Sequence, residues 1–320
     1  MKKIVLAILL IVTISAGAFL LTACADNSKT IGIIQFGNHE SLNNCYDGIL
    51  LGLEEEGINA ANGYKVDLQV SNFDASTSAA QAQNFANKNV ALIGAITTPS
   101  ALAAAGAVKS KIPVVYCAVS DPLTAGLLDM ENVTGSSDLL DFAGQIELIK
   151  GFIPNVDKIG IIYCTGEPNA ASQLASMTAE ANKQGIEIVA VSIGGANEIM
   201  TALNSLLATE GLDCISNLND NTVVGCLDTV LEEAEKKNIP VFGSEIEQVK
   251  LGCVAGVSLD YVELGRLTGI LMAKILKGQA ITKGDYITVS ESEMVYNSEV
   301  AARFNLQSPA NLTVRNVIEG

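Results

Sequence analysis

The feature that most constrains the fold is a regular alternation of short apolar runs with longer amphipathic runs along nearly the whole chain. Residues 30–37 (TIGIIQFG) have the pattern of a buried strand, and residues 41–57 place apolar side chains at helical spacing before a glycine. Because the strands carry no polar face and helices of about 10–15 residues separate them, the pattern indicates right-handed β-α-β units. The sequence therefore predicts parallel sheets covered by helices on both faces.

A break near the middle of the chain indicates two lobes rather than one. Residues 120–138 are rich in turn-forming and helix-capping residues, and comparable β-α units lie on either side. This favours two doubly wound α/β lobes joined by a multi-crossover hinge over the alternative, a single closed barrel of about eight strands. We expect residues 30–121 with about 255–283 in the first lobe, and residues 122–254 with about 284–320 in the second.

The N-terminus has the pattern of an export signal. Two lysines precede an apolar run over residues 4–21, which barely reaches the length of about 20 residues that a membrane-spanning helix needs. The run ends in Leu-Thr-Ala-Cys, which resembles the bacterial lipobox, where cleavage precedes the cysteine and its sulfur receives a diacylglycerol. We therefore expect residues 1–23 to be a signal peptide, Cys24 to carry the lipid, and residues 24–29 to tether an extracytoplasmic body to the outer face of the cell membrane. An uncleaved anchor is the alternative.

The other six cysteines are predicted to be mostly free thiols. Export would permit disulfides, but Cys117, Cys164 and Cys214 lie within apolar strand-like runs, where a thiol packs as a small hydrophobic group. The sequence contains no Cys-x-x-Cys spacing.

Composition argues against several classes of function. The chain has 35 Asp and Glu against 19 Lys and Arg, with no basic run, so nucleic acid is an unsuitable partner. His39 is the only histidine, which excludes a site with two histidine ligands to a metal. No Gly-x-Ser-x-Gly elbow, dinucleotide fingerprint or P-loop occurs. A secreted hydrolase is therefore disfavoured, and we expect no metal and no cofactor.

Seven fragments carry a family resemblance through their order and spacing. They are TTPSALAAA (97–105), IPVVYCAVSDPLTAGLL (112–128), NVTGSSD (132–138), QIELIKGFIPNVDKIGIIY (145–163), NDNTV (219–223), IPVFGSE (239–245) and DYVELGRLTG (260–269). Together they resemble the ABC-transporter substrate-binding lipoproteins of the tryptophan/tyrosine-binding type, which have the type I periplasmic-binding-protein fold. The resemblance spans about residues 30–278.

The resemblance implies a protein without catalysis that closes around a small amino acid-like ligand and hands it to an ABC permease and its ATPase. We expect it to act as a monomer. A lipid-anchored sensor of the same fold is the alternative, and gene neighbours encoding a permease would distinguish the two.

Polar residues that directly follow strands are the predicted ligand contacts, because ligands of doubly wound sheets bind beyond the carboxyl ends of the strands. These residues are Thr97, Thr98, Ser100, Ser120, Asp121, Glu167, Asn169, Asp220, Asn221, Thr222, Ser244 and Glu245. His39 also follows a strand and matches a histidine common in the resembled family, whose nearby proline and aspartate are replaced by Glu40 and Asn43.

The chemistry of a zwitterion assigns roles to some of these residues. Asp121 and Asp220, one from each predicted lobe, are the expected partners of an ammonium group. No arginine follows a strand, so the carboxylate is expected at the hydroxyls and the exposed N–H groups where a helix begins at Thr97, Thr98 and Ser100.

The predicted side-chain pocket leaves the choice of amino acid open. The chain has no tryptophan, and aromatic residues are 5% of the total. Where the resembled family usually has a tyrosine-glycine pair, this chain has Val257 and Ser258. Both an aromatic and a branched aliphatic ligand therefore fit the sequence.

Overall fold

The structure is a computed structural model that describes residues 29–108, 112–289 and 292–318. The predicted signal peptide, Cys24 and all but the last residue of the predicted tether lie outside the described residues. Within the described ranges, no helix combines the length and apolarity that crossing a membrane requires.

Strands and helices alternate as the sequence predicts. The strands are β1 (Thr30–Gln35), β2 (Lys65–Val70), β3 (Leu92–Ile96), β4 (Val114–Cys117), β5 (Val133–Ser137), β6 (Lys158–Cys164), β7 (Glu187–Ile193), β8 (Cys214–Ser216), β9 (Val241–Phe242), β10 (Ala255–Ser258), β11 (Ile287–Thr288), β12 (Glu293–Tyr296) and β13 (Arg315–Asn316). The α-helices are α1 (Glu40–Glu55), α2 (Ala75–Lys88), α3 (Thr98–Val108), α4 (Phe142–Phe152), α5 (Pro168–Lys183), α6 (Ile199–Leu206), α7 (Asn221–Val224), α8 (Leu227–Lys236), α9 (Ile246–Leu251), α10 (Tyr261–Leu276) and α11 (Ser298–Arg303).

The first lobe is built on a parallel sheet with the strand order β2-β1-β3-β4-β5-β11. Every residue of β3, β4 and β5 is buried, as expected for strands covered on both faces. On one face α1 packs closely against α10, which comes from the C-terminal part of the chain. The contact depends on glycine, because a Cβ atom on Gly48 would lie 2.1 Å from the carbonyl oxygen of Val262.

The second lobe has the parallel strand order β7-β6-β8-β9 and a second group of strands, β10-β12-β13, in which β10 and β12 are antiparallel. A parallel bridge between Gly243 and Gly256 connects the two groups of strands. Both sheets are open, with β2 and β11 at the edges of the first one, so the predicted two-lobed α/β fold is confirmed and the closed barrel is excluded.

The chain crosses between the lobes three times: after β5, after β10, and between β11 and β12. These three crossovers form the hinge. The predicted boundaries divide the chain differently: they assign β5 and β11 to the second lobe and β10 to the first. The reason is that the turn-rich stretch before β5 is a loop within the first lobe. The chain leaves that lobe only at Asp138, where β5 has ended.

All six cysteines after Cys24 lie in the described part of the chain, and each of them is a free thiol. Five are buried, which agrees with the prediction that they pack as small apolar side chains.

Candidate ligand-binding site

The carboxyl ends of both parallel sheets meet at a small, partly open cavity between the lobes. The first lobe lines it with His39, Ser41, Leu42, Thr97, Thr98 and Ala118. The second lobe contributes Asn169, Asn219, Asn221, Val224 and Glu245. Asp138 and Tyr261 complete the lining from the hinge side, where the chain passes between lobes.

The first-lobe wall presents hydroxyl groups at the start of α3. The side-chain oxygens of Thr97, Thr98 and Ser100 are buried, and none has a hydrogen-bond partner among the described residues. The first N–H groups of a helix also lack an intrahelical acceptor. Thr97 adopts a left-handed φ of 84°, a costly conformation for a β-branched residue and one that is often found at binding sites. This wall therefore offers donors to an anion.

Asp138 is a buried carboxylate that the protein supplies with hydrogen bonds but with no positive charge. Its oxygens accept from Ser120 Oγ, Asn219 Nδ2 and the Tyr261 hydroxyl, each at 3.0 Å. Burial raises the pKa of Asp138, and these three donors oppose that shift. No lysine or arginine is among the residues that line the cavity. A buried carboxylate of this kind favours a cationic partner.

Two side-chain amide oxygens of the second lobe also lack a hydrogen-bond donor among the described residues. Asn169 donates to the Asn219 carbonyl at 2.8 Å, and Asn219 donates to Asp138, so their NH₂ groups are used within the protein. Their Oδ1 atoms are buried and have no partner among the described residues. An ammonium group, with three N–H donors, matches two free amide oxygens and a carboxylate.

Glu245 adds a second acid to the second-lobe wall. It follows β9, is 3% exposed, and accepts a hydrogen bond from Gln248 at 3.3 Å. Burial raises the pKa of Glu245 to about 7, with smaller contributions from the Glu247 and Asp138 carboxylates. Glu245 therefore holds its proton to a higher pH than an exposed glutamate does.

Glu167 and Asp220 serve a different purpose, because they cap α7. Glu167 accepts from the backbone and side chain of both Asn221 and Thr222. Asp220 accepts from the backbone N–H groups of Cys164 and Val223. Burial and the Glu167 carboxylate raise the pKa of Asp220 well above its usual range. Neither side chain lines the cavity.

The tautomer of His39 follows from this capping. Asn221 gives its amide N–H to Glu167, so its Oδ1 is the atom that lies 3.3 Å from His39 Nε2. His39 must therefore donate from Nε2, which leaves Nδ1 as a buried acceptor without a partner among the described residues. Desolvation lowers the pKa of His39 to about 4, so the ring is neutral at pH 7.

The structure brings six of the thirteen predicted ligand contacts to the cavity wall: His39, Thr97, Thr98, Asn169, Asn221 and Glu245. Ser100, Ser120, Glu167, Asp220, Thr222 and Ser244 are buried beside it, and several hold wall residues in place. Asp121 lies in a half-exposed turn, where it accepts from the Thr124 backbone at 2.9 Å and from Ser172 Oγ at 3.4 Å.

Sequence reasoning missed seven lining residues: Ser41, Leu42, Ala118, Asp138, Asn219, Val224 and Tyr261. Asp138 and Asn219 follow β5 and β8, so the strand-end rule applies to both. The turn-rich composition of residues 120–138 predicts an interruption of the pattern, whereas the structure has a loop and a short strand that ends just before Asp138.

The two lobes are in direct contact around the cavity. Gln173 donates to Ser120 Oγ at 2.8 Å, and Asn44 donates to Glu247 at 3.3 Å. His39 and Asn221 form a third link between the lobes. These hydrogen bonds describe a closed arrangement of the lobes.

Comparison with known proteins gives a family and several relatives. A model of the family described as ABC transporter substrate-binding protein matches residues 30–317. A tyrosine-binding protein of Clostridioides difficile (strain R20291) is 32% identical over 312 residues, which are 91% of this chain and 90% of that protein.

Two solved structures distinguish the arrangement of the lobes. An ABC domain from Streptococcus pneumonia in complex with L-Trp is 30% identical, with a TM-score of 0.83 over 88% of this chain and 96% of that one. A ligand-free, open structure of a substrate-binding protein with adhesive properties from Clostridium difficile is 31% identical, with a TM-score of 0.66 over 90% of this chain and 99% of that one. Since identity and coverage are nearly equal, the lower score against the open structure agrees with a closed arrangement here.

Proposed function

Because this chain belongs to the ABC transporter substrate-binding protein family, we propose that it captures a zwitterionic amino acid in the interlobe cavity and delivers it to an ABC permease. Proteins of this family act outside the cytoplasm. We further propose that Cys24 carries a lipid that holds the body at the outer face of the membrane, where two acyl chains suffice for stable anchoring.

The distribution of unpaired polar atoms carries the proposal. The first-lobe wall has buried hydroxyls at a helix N-terminus, which suit a carboxylate. Across the cavity lie the Asp138 carboxylate and the free oxygens of Asn169 and Asn219, which suit an ammonium. An α-amino acid brings both groups, and binding them closes the protein around it.

An aromatic amino acid is the ligand that we propose. The tyrosine-binding relative and the neighbour with bound L-Trp support this choice. Leu42, Val224 and the rings of Tyr261 and His39 supply apolar contact within the cavity. His39 Nδ1 adds an acceptor that suits a hydroxyl or N–H donor on the ligand.

The work of the protein would then be a population shift without catalysis. A ligand that contacts both lobes stabilises the closed form by the difference between its affinities for the closed and open forms. The closed form is the one offered to the permease, which releases the ligand on opening.

Calorimetry with charge-deleted analogues tests the proposal. L-tyrosine and L-tryptophan should bind, whereas L-tyrosinamide, which lacks the carboxylate, and 3-(4-hydroxyphenyl)propionate, which lacks the ammonium, should bind at least tenfold more weakly. Equal binding of either analogue, or no binding by any of the common amino acids, would contradict the proposal. For the anchor, mass spectrometry of the native protein should find a lipid on an N-terminal Cys24, and an intact Met1 would reject it.

A further inference from the structure

An aromatic side chain beside the cavity is held by an unusual backbone. Phe73 lies in the loop between β2 and α2, and it follows Asn72; their φ angles are 63° and 51°. Asparagine tolerates the left-handed region, whereas for a bulky residue such as Phe73 this conformation is strained. The backbone N–H of Phe73 donates to the carbonyl of Phe36 at 2.7 Å, which ties this loop to the one after β1. This hydrogen bond therefore holds the backbone of Phe73 in place against the loop after β1.

That ring lies between two glycines from different lobes. A Cβ atom built on Gly37, in the first lobe, would lie 1.8 Å from Phe73 Cε1. A Cβ atom on Gly225, at the end of α7 in the second lobe, would lie 3.0 Å from Phe73 Cε2 and Cζ. Phe36 packs edge-on against the same ring, with centroids 6.2 Å apart. Glycine at both positions leaves room for the Phe73 ring to bridge the lobes.

The bridge is connected to the cavity through His39. The His39 and Phe73 rings are parallel to within 5°, with centroids 6.4 Å apart. His39 lines the cavity and contacts Asn221 in the same short helix that ends at Gly225. One aromatic pair from the first lobe thus covers the start and the end of α7.

Phe73 lies far from two of the crossovers that form the hinge, so its contact with Gly225 is sensitive to movement of the lobes. Phe73 follows β2, at one edge of the first sheet, whereas two of the three crossovers leave from β5 and β11 at the other edge. β2 and β5 are four strand spacings apart, roughly 19 Å. A rotation of the lobes about these two crossovers moves residues at the β2 edge farther than residues beside β5.

We propose that Phe73 is a latch, a ring that is fixed in the first lobe and docks on Gly225 of the second lobe only in the closed form, so that it sets how long a bound ligand is retained. The proposal rests on the proposed function for its ligand, but the contact between the lobes does not include the ligand. Phe73 is a positioning residue, because it does not line the cavity.

Dissociation kinetics in full-length protein test the latch. The chain contains no tryptophan, so the fluorescence of bound L-tryptophan reports its own release when excess L-tyrosine is added. Radiolabelled L-tyrosine is a second probe. Phe73→Ala should accelerate release about tenfold, equivalent to roughly 1.4 kcal/mol of lost contact. Gly225→Ala, which adds one methyl group against the ring, should accelerate it several-fold. Its φ of −61° suits alanine, so a change reports the collision and not backbone strain.

The double variant separates a latch from general damage to the fold. In the Phe73→Ala background, Gly225→Ala should have little further effect, since the ring that it strikes is gone. Gly106→Ala is the matched control, because a Cβ there meets nothing within 4 Å, and release should match the wild type. Additive effects of Phe73→Ala and Gly225→Ala, or wild-type release in both, would overturn the proposal.

Small-angle scattering of the ligand-free protein keeps the test independent of the ligand. Phe73→Ala and Gly225→Ala should each increase the radius of gyration, whereas Gly106→Ala should not. If no amino acid binds, the proposed function fails and this measurement decides the latch alone. Unchanged scattering would then reject it. If Phe73→Ala does not fold, Gly225→Ala, in the other lobe, still provides the decisive comparison.

Discussion

α3 of the first lobe and α7 of the second both begin at the cavity, but the protein caps only α7 with its own acids. Glu167 and Asp220 accept hydrogen bonds from the first turn of α7. At α3, the hydroxyls of Thr98 and Ser100 are buried without a partner among the described residues. Each of these helices follows a parallel strand. The hydrogen-bond donors at the start of α7 have acceptors within the protein, whereas the hydroxyls at the start of α3 have no partner among the described residues.

This difference in free hydrogen-bond donors determines which end of a ligand can bind at each wall. Two carboxyl groups already occupy the N-terminus of α7, so a ligand carboxylate there would meet like charge and no free donor. The N-terminus of α3 has free donors and no acid. Asp138 lines the cavity from the hinge, and the free oxygens of Asn169 and Asn219 lie on its second-lobe side. The asymmetry orients a zwitterion in one direction only.

The largest expected effect comes from removing the charge at the hinge. Asp138→Asn should weaken L-tyrosine binding by about 3 kcal/mol, because the ligand ammonium would lose its ionic partner in a buried site. Calorimetry at pH 7 measures this loss. Asp121→Asn is the matched control: that carboxylate lies in a half-exposed turn, and the change should be within about 0.5 kcal/mol. If Asp121→Asn has the larger effect, the ammonium lies elsewhere and the assigned orientation falls.

The fold could be predicted from the sequence because it depends on periodic patterns. β3 and β4 are continuous apolar runs, and α1 and α10 show helical spacing, so their type follows from burial alone. The family match confirms the resemblance that the seven fragments indicated. The assignment of β5, β10 and β11 to lobes was not predictable in this way, because it depends on which sheet edge each short strand joins.

The site was predictable only in part, because the strand-end rule finds positions and not directions. It located Thr97, Thr98 and Glu245 on the wall. It did not separate Asp220, which turns back to cap a helix, from Asp138, which faces the cavity. The two acids have the same kind of position after a strand. They differ in the direction of the side chain, because Asp138 lines the cavity and Asp220 does not.

A second test measures ligand affinity as a function of pH. Glu245 on the second-lobe wall has a raised pKa, whereas His39 on the first-lobe wall has a lowered one. In the ligand-free closed form, the raised pKa of Glu245, about 7, means that the protein holds a proton that the unfolded chain releases. The proton therefore contributes to the free energy of unfolding at low pH, and this contribution is lost as the pH rises through about 7. A bound ammonium favours the carboxylate form, so binding releases that proton.

Affinity should therefore fall as the pH drops from 7 to 5, at most tenfold per pH unit and about 30-fold in all. The pKa of His39, about 4, keeps the first-lobe ring neutral across this range. The Asp138 and Glu247 carboxylates and the Tyr261 hydroxyl also face Glu245. Calorimetry across this range measures the slope, and Glu245→Gln should flatten most of it. An unchanged slope in Glu245→Gln would assign the proton to another group.

The smallest effects give the sharpest comparison, because they exchange one hydroxyl for a methyl group in the first turn of α3 and in the first turn of α7. Thr98→Val should weaken ligand binding by about 1.5 kcal/mol, the value of a hydrogen bond to a charged group. It should leave the melting temperature of the ligand-free protein unchanged or slightly higher, since that hydroxyl is buried without a partner among the described residues.

Thr222→Val should do the reverse. The Thr222 hydroxyl donates to Glu167 at 2.7 Å, so its loss leaves a buried carboxylate short of one donor. The ligand-free protein should lose about 1–2 kcal/mol of stability and melt a few degrees lower. Its affinity for L-tyrosine should change little, because Glu167 and Thr222 do not line the cavity. Calorimetry and thermal melting of both variants give four values. If both variants lose mainly affinity, or both lose mainly stability, the starts of α3 and α7 do not differ in their free hydrogen-bond donors. The proposed orientation of the ligand across the cavity would then be wrong.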